Sequence, residues 1–293
     1  MRVVKAWMLL LGTATCGPPE QELRVLYRGQ VYSLSELRGL GLRVPHLAVT
    51  RELAEQRLVA GFDSEAESTT YAHQRQTVTL QQGSAEPLCD SPSWFMDVAD
   101  YQYPSFVLAP GEGLMGMFQV AGENWNARVG RIDTSSCPGV VTIYDQPGFA
   151  GNSQTFGPGL FFIRLSHFPL ELSSWSNSPR SIRSTSYFSF EGRDTSNARR
   201  NGRSAVLMLQ AGQVLHAGTC GLPGASGEGD TYLRLYDAQG NEVAANDDSC
   251  GGLSFVSYAV PADAGGPYQL RVGCFGETPC RGTVAYSFFS TSR

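Results

Sequence analysis

Five oxygen-bearing side chains gather in the last third of the sequence: Asp230, Asp237, Asn246, Asp247 and Asp248. Carboxylates and amides on turns are the hard donors that calcium takes, roughly six to eight oxygens at a time, so a metal is expected here if the chain holds one. The same residue types also cap turns by bonding their own backbone, and spacing alone leaves both roles open. Seven cysteines offer a second chemistry: Cys16, Cys89, Cys137, Cys220, Cys250, Cys274 and Cys280. They form no Cys-x-x-Cys pair and no Cys/His cluster of zinc spacing, so disulfides are the expected use. Nothing in the pattern nominates a catalyst. His46, His73, His167 and His216 are scattered, and there is no H-E-x-x-H, G-x-S-x-G, P-loop or G-x-G-x-x-G. Asp247 and Asp248 are adjacent, so on a turn they diverge and make no carboxylate dyad. The reading is of a protein that is not an enzyme, because a general base needs a partner in hydrogen-bond reach.

The elements that must position these residues belong to ordinary globular material. The chain has 293 residues, 42% apolar and 17% charged, enough for two or three domains. A net charge of -5 gives no general attraction to phosphate, and nucleic acid is not an expected partner. The one basic cluster, Arg193, Arg199, Arg200 and Arg203, lies in the polar run "EGRDTSNARRNGR", read as a solvated linker over 188–203.

The first sixteen residues, "MRVVKAWMLLLGTATC", carry Arg2 and Lys5, a short apolar run from Ala6 to Leu11 and small residues before Cys16, which predicts an export signal too short to span a membrane. Its end resembles a bacterial lipobox, with Thr13 and Thr15 at two positions where that pattern prefers other residues. The resemblance implies lipidation of Cys16 and a membrane anchor. Ordinary cleavage after Ala14 is the alternative, giving a secreted protein. Lipidation leaves six cysteines, an even number for disulfides.

Residues 17–82 read as a small α+β segment. Ser33 with Glu36, and Ser64 with Glu67, are capping boxes that predict short helices, while "LRVLYRGQVY" and "QTVTLQQ" read as strands.

The middle of the chain repeats itself. A shift of 48 residues lays Cys89 on Cys137, Asp97 on Asp145, Tyr101 on Phe149 and Ser105 on Ser153, and a shift of 50 pairs Trp125 with Trp175 and Ile132 with Ile182. In "YDQPGFAG", Tyr144 and Phe149 are placed for their rings to meet where a hairpin folds back, and Gly151 supplies a backbone angle that a Cβ would resist. Aromatic, four residues, aromatic, one residue, Gly, followed by a Trp-led loop, resembles the βγ-crystallin Greek key. The resemblance covers about 89–187, both motifs of one domain. In the first copy Met96 stands for the leading aromatic and Tyr103 for the Gly. Many microbial members bind calcium through a loop of Asn/Asp, Asn/Asp, two residues, Ser/Thr, Ser. Of that pattern this chain keeps Asn126 in one loop and Asn177 and Ser181 in the other, with Arg131 and Arg180 intruding, so the motif is degenerate.

The last segment, 204–293, alternates strands and turns. Leu233 and Leu235 point one way, Tyr232, Arg234 and Tyr236 the other, and "DAQGN" closes a hairpin. The run of Asp230, Thr231, Tyr232, Leu233, Asp237, Gly240, Asn246, Asp247 and Asp248, with a closing strand from Tyr268, resembles the bacterial pre-peptidase C-terminal domain over about 204–289. That implies an accessory β-domain of an exported protein.

The expected fold is therefore mainly β: a two-motif Greek-key sandwich of crystallin type plus a second β-sandwich, behind a small α+β segment. Equivalent positions in the two crystallin motifs imply Cys89 with Cys137, and Cys220 with Cys250 and Cys274 with Cys280 would staple the last domain. The expected function is a non-enzymatic cell-surface lipoprotein that binds an extracellular protein or polysaccharide. A secreted peptidase inhibitor on a crystallin-like fold and a structural or stress protein of the envelope are the alternatives.

Overall fold

A computed structural model describes residues 23–74, 90–97, 104–118, 120, 122, 124–125, 128–161, 163–165 and 179–290. Cys16, Cys89, Asn126, Trp175, Asn177 and the strand expected in "QTVTLQQ" lie outside these.

The first unit opens with β1 (Arg24–Tyr27), which turns through Arg28 and Gly29 into β2 (Gln30–Ser33). Ser33 ends that strand and caps α1 (Leu34–Gly39), its hydroxyl accepting from the Glu36 amide while Glu36 accepts from the Ser33 amide, so the capping box is complete. β3 (His46–Val49), α2 (Arg51–Glu55, capped by Thr50), β4 (Leu58–Phe62) and α3 (Glu65–Gln74) follow. Ser64 Oγ accepts from the Glu67 amide at 3.3 Å at the head of α3. β1 lies between antiparallel β2 and parallel β4, and β3 runs antiparallel to β4.

The middle unit is the double Greek key. Its first motif is β5 (Ser93–Met96), β6 (Ser105–Leu108), β7 (Glu112–Gly113) and β8 (Arg131–Asp133); its second is β9 (Gly139–Gln146), β10 (Ala150–Phe156), β11 (Ile163–Arg164) and β12 (Ser181–Gly192). The motifs exchange their third strands. β11 crosses to pair with β8, Ile163 opposite Ile132, in the sheet β11-β8-β5-β6. Leu114, at the end of β7, bridges to Ile182 of β12 in the other sheet. Neither motif can cover its own apolar face, so exchange closes one core around Phe95, Phe106, Trp125, Ile132, Ile143, Phe156 and Ile182.

Two boundaries differ from expectation. The described part of the 17–82 segment, residues 23–74, does not stand apart: β3 pairs in parallel with β10, from His46 opposite Ser153 to Val49 opposite Phe156, and Val25, Leu37, Val44 and Val59 share the crystallin core. The expected linker at 188–203 is not one. β12 pairs with β9 through its first half and with strand β20 (Cys280–Ser290) through its second, crossing from one sandwich into the next without a break. Residues 193–202 then form a packed turn in which Thr195 and Ala198 are buried.

The last unit contains β13 (Arg203–Leu209), β14 (Gln213–Gly218), β15 (Ser226–Glu228), β16 (Thr231–Tyr236), β17 (Glu242–Asn246), β18 (Phe255–Ala259), β19 (Gly266–Cys274) and β20. One sheet runs β13-β19-β16-β17; the other is the far end of the long sheet β18-β14-β20-β12-β9-β10-β3-β4-β1-β2. Between them lie Leu207, Leu215, Leu233, Leu235, Leu270, Val272 and Val284. Side chains of this kind each contribute roughly 1.5–3 kcal/mol when fully buried, which is why the alternation at Leu233 and Leu235 was legible. The fold is mainly β, with a crystallin-type Greek-key sandwich and a second β-sandwich.

Candidate functional site

The aromatic corner forms as the spacing predicts. The Tyr144 and Phe149 rings lie 5.8 Å apart, and Gly151 takes φ +84°. The Arg183 guanidinium sits 4.5 Å from the Phe149 ring centre and pairs with Glu65 at 3.3 Å; Tyr144 Oη donates to the same carboxylate. Burial pushes the Tyr144 hydroxyl well above its ordinary pKa, so it stays a donor. Beside it, His46 Nδ1 and Ser153 Oγ share a hydrogen bond of 2.8 Å. This is a nucleophile and a base in contact, yet Ser153 is 2% exposed and its strand pairs with β3, so the pair joins two units rather than facing solvent.

The five oxygen donors of the last unit do not come together. Asp237 lies at one end of β16 and Asp230 at the other, with the six strand residues between them, roughly 23 Å apart along an extended chain. The Asp237 carboxylate is held below its usual range by the Asn241 side chain and by the amides of Gln239, Gly240 and Asn241, a turn-capping role. Asn246 Oδ1 accepts from Ser249 Oγ and the Phe255 amide. Asp230 stays near Asp247 and Asp248; desolvation and those two charges raise its pKa. Among the described residues no cluster of three or more His, Cys, Asp or Glu side chains is placed to hold a metal ion. In the crystallin loops, Ser181 Oγ donates to the Gln146 carbonyl and accepts from the Phe149 amide, while Arg131 is buried against Asp133. Asp237, Asn246 and Ser181 thus spend side-chain oxygens on nearby groups, and β16 sets Asp237 apart from Asp230, Asp247 and Asp248.

The disulfides of the last unit pair as expected, Cys220 with Cys250 and Cys274 with Cys280. Cys137 is disulfide-bonded as well.

Two features escaped the sequence pattern. A crevice of about 630 Å³ opens at the carboxyl ends of parallel β1 and β4, under α3. At its mouth Asp63 accepts from Tyr27 Oη at 2.5 Å and from Arg28 at 2.9 and 3.2 Å, and these partners hold it below the usual carboxylate range. Nothing in "LVAGFDSEAE" marks this, since the partners come from a strand 35 residues away.

The second feature is the outer face of β13-β19-β16-β17. Cross-strand register sets Arg234 opposite Arg271, and Tyr236 opposite Gln269. The Arg271 guanidinium lies 4.6 Å from the Tyr236 ring centre and donates to Gln269 Oε1 at 2.7 and 2.8 Å. Arg234 lies 4.4 Å from the Tyr232 ring, which stacks on Phe275 with centres 6.4 Å apart and planes 18° apart. Arg234 lies with Tyr232 on the face opposite Leu233 and Leu235, as the alternation predicts, yet is 2% exposed: its Nε donates to the Asn197 carbonyl and its Nη1 pairs with Glu242. The covering turn can lie on the sheet because Gly273 is beneath it; a Cβ there would stand 2.8 Å from Ala198 Cα. Val206, Met208 and Phe275 on this side are exposed by 58%, 66% and 45%.

No protein-family model and no curated protein matches the chain. Solved structures similar to parts of it include Aeromonas hydrophila PliG, a periplasmic lysozyme inhibitor of g-type lysozyme, at 17% identity and TM-score 0.25, over 36% of this chain and 83% of that one. The N-terminal domain of protein S aligns at 22% identity and TM-score 0.24, over 32% and 94%. A structure from work on the evolution of the eye-lens βγ-crystallin domain fold aligns at 12% and 0.25, over 35% and 92%. The exchanged third strands carry the crystallin-type architecture independently of these likenesses.

Proposed function

We propose that this chain is an exported, non-enzymatic binding protein whose ligand face is the outer surface of the β13-β19-β16-β17 sheet. The observation that carries the reading is the aromatic and arginine array there, half-buried Tyr232 on exposed Phe275 and half-buried Arg271 on Tyr236, bordered by exposed Val206 and Met208. Tyr and Arg supply large, rigid contact area with polar handles and dominate recognition surfaces. Exposed apolar side chains grouped on one face mark interaction sites. Export is supported by the two disulfides of the last unit, which persist in oxidising compartments. The last unit is an accessory β-domain like the pre-peptidase C-terminal domain, and Cys16 carries the lipid that holds the protein at the envelope.

The test is retention of the purified full chain on a panel of insoluble polysaccharides and extracellular-matrix proteins, beside a Tyr236→Ala/Arg271→Ala/Phe275→Ala variant and a Val31→Ala control on the distant edge strand β2. Binding to a panel member that the triple variant loses and the control keeps supports the reading. Retention of the triple variant equal to the parent's sinks it.

A further inference from the structure

The long polar turn 193–202 changes what the outer face of the last unit can recognise. Ser196 donates its amide to the Gly276 carbonyl, Asn197 Oδ1 accepts from the Gly276 amide, and the Asn197 carbonyl accepts from Arg234. The turn is therefore pinned against the Phe275–Gly276 corner, and its exposed Arg199 and Arg200 are carried to the border of the Tyr232 and Phe275 stack. Three guanidiniums then serve one surface: Arg199, Arg200 and Arg271. Among the described residues none of the three has a carboxylate partner; Arg200 Nε donates to the Asp194 carbonyl and Arg271 to the Gln269 amide. Arg234, by contrast, is neutralised by Glu242. The nearby acids Asp194 and Glu277 are exposed and make no ion pair with them.

On a chain of net charge -5 this is a local positive surface, and its field steers a polyanion there while the rest of the protein repels it. Stacking on Tyr236 and the bond to Gln269 hold the Arg271 fork in one orientation, with donors left over. A fixed planar fork matches a carboxylate with two parallel hydrogen bonds, which a lysine cannot do. The stacked aromatics are separated along β16 by Arg234, from Tyr232 to Tyr236, roughly 13 Å. Arg234 and Phe275 lie against the Tyr232 ring and Arg271 against the Tyr236 ring, so the spacing sets cations along an extended strand, suited to a linear polymer that directs acid groups to the guanidiniums.

We propose that the ligand of this face is a carboxylated polysaccharide, a uronate-containing glycan, engaged by Arg271, Arg199 and Arg200. This rests on the reading of that face as the binding surface. The experiment is affinity electrophoresis of the full chain through gels containing polygalacturonate, alginate, neutral dextran or laminarin, with single-stranded DNA and poly-glutamate as competitors. Polygalacturonate or alginate is expected to retard the parent chain, with retardation reduced at least tenfold, about 1.4 kcal/mol, by Arg271→Ala/Arg199→Ala/Arg200→Ala. Arg271→Lys, which keeps the charge and loses the fork, is expected to lose affinity too, and rising salt to weaken binding throughout. An unchanged melting temperature in each variant excludes misfolding. Retardation by neutral glycans that the arginine variants keep overturns the carboxylate assignment and leaves the binding face standing. Displacement by DNA or poly-glutamate as effective as by free uronate oligomers overturns it in favour of an unspecific anion surface or an acidic protein. No retardation by any acidic glycan overturns it outright.

Discussion

Gly151 is where the crystallin corner is most sharply constrained, and the cost of changing it follows from two separable effects. The first is backbone strain: φ is +84° there, and an L side chain in that region costs about 1–2 kcal/mol. The second is collision. A Cβ at 151 would stand 2.0 Å from Asp145 Oδ1 and 3.0 Å from Gln146 Cγ. The Asp145 side chain must swing away, and it then leaves the Asn152 amide, which donates to it at 2.9 Å, and the Asn152 side-chain amide at 2.6 Å. Losing hydrogen bonds to a charged group costs about 1.5–3 kcal/mol, so Gly151→Ala should lose about 2.5–5 kcal/mol. Gly148, three residues earlier, isolates the first effect: φ is +73°, and the nearest atom to its would-be Cβ is Met115 Cε at 4.0 Å. Gly148→Ala should therefore cost only about 1–2 kcal/mol. The assay is equilibrium denaturation in guanidinium, followed by tryptophan fluorescence, with Asp145→Ala and Asp145→Ala/Gly151→Ala completing a cycle. Removing Asp145 removes the 2.0 Å collision and leaves only the Gln146 Cγ contact at 3.0 Å, so the double variant should lie much closer to Asp145→Ala than Gly151→Ala lies to the parent. Equal losses for Gly151→Ala and Gly148→Ala, or strict additivity in the cycle, would refute the collision.

Further outcomes are expected from groups elsewhere. Burial depresses the pKa values of His46, His73 and His216, so the folded chain binds these protons less readily than the unfolded chain does. Their contribution to stability is present above the unfolded value of about 6.5 and is lost as pH falls through the lower folded values. The melting temperature should fall between pH 7.5 and pH 5, and His73→Phe, which keeps the ring against Tyr187, should flatten that fall; an unchanged slope in His73→Phe would count against its burial. Mild reduction should open Cys220–Cys250 first, since Cys250 is exposed while Cys274 and Cys280 are buried in the core, as differential alkylation would show. Its 30-residue separation gives a loop-entropy contribution of about 3.6 kcal/mol, against about 2.2 for the 6-residue Cys274–Cys280 loop. Labelling cells with palmitate should mark the parent chain and not Cys16→Ala; equal label in both would remove the lipid anchor.

The sequence by itself determined what depends on neighbours along the chain. Ser33 and Glu36 cap α1 because the two groups are one helical turn apart, and the bonds form wherever that helix is placed. The Tyr144, Phe149 and Gly151 corner, the Asp237–Asn241 turn and the alternation of Leu233 and Leu235 are likewise set by backbone geometry over a few residues. The repeat, read as equivalent Ile132 and Ile182, correctly placed the two strands that receive exchanged partners, because two half-units with one apolar face each must complete one another. Tertiary structure decided the rest. The pairing of β3 with β10 joins elements more than 100 residues apart, and a parallel register leaves no turn signature in either strand. "EGRDTSNARRNGR" reads as solvated because its residues are polar, yet its backbone lies on the sheet wherever Gly273 opens space, a fit that composition does not carry. Five acidic and amide residues close in sequence look like one cluster, and β16 holds Asp237 and Asp230 at opposite ends, since an extended strand separates what sequence counting brings together. The stacking of Arg271 on Tyr236, on the neighbouring strand and two residues from Tyr236's partner Gln269, exists only once β19 and β16 are paired.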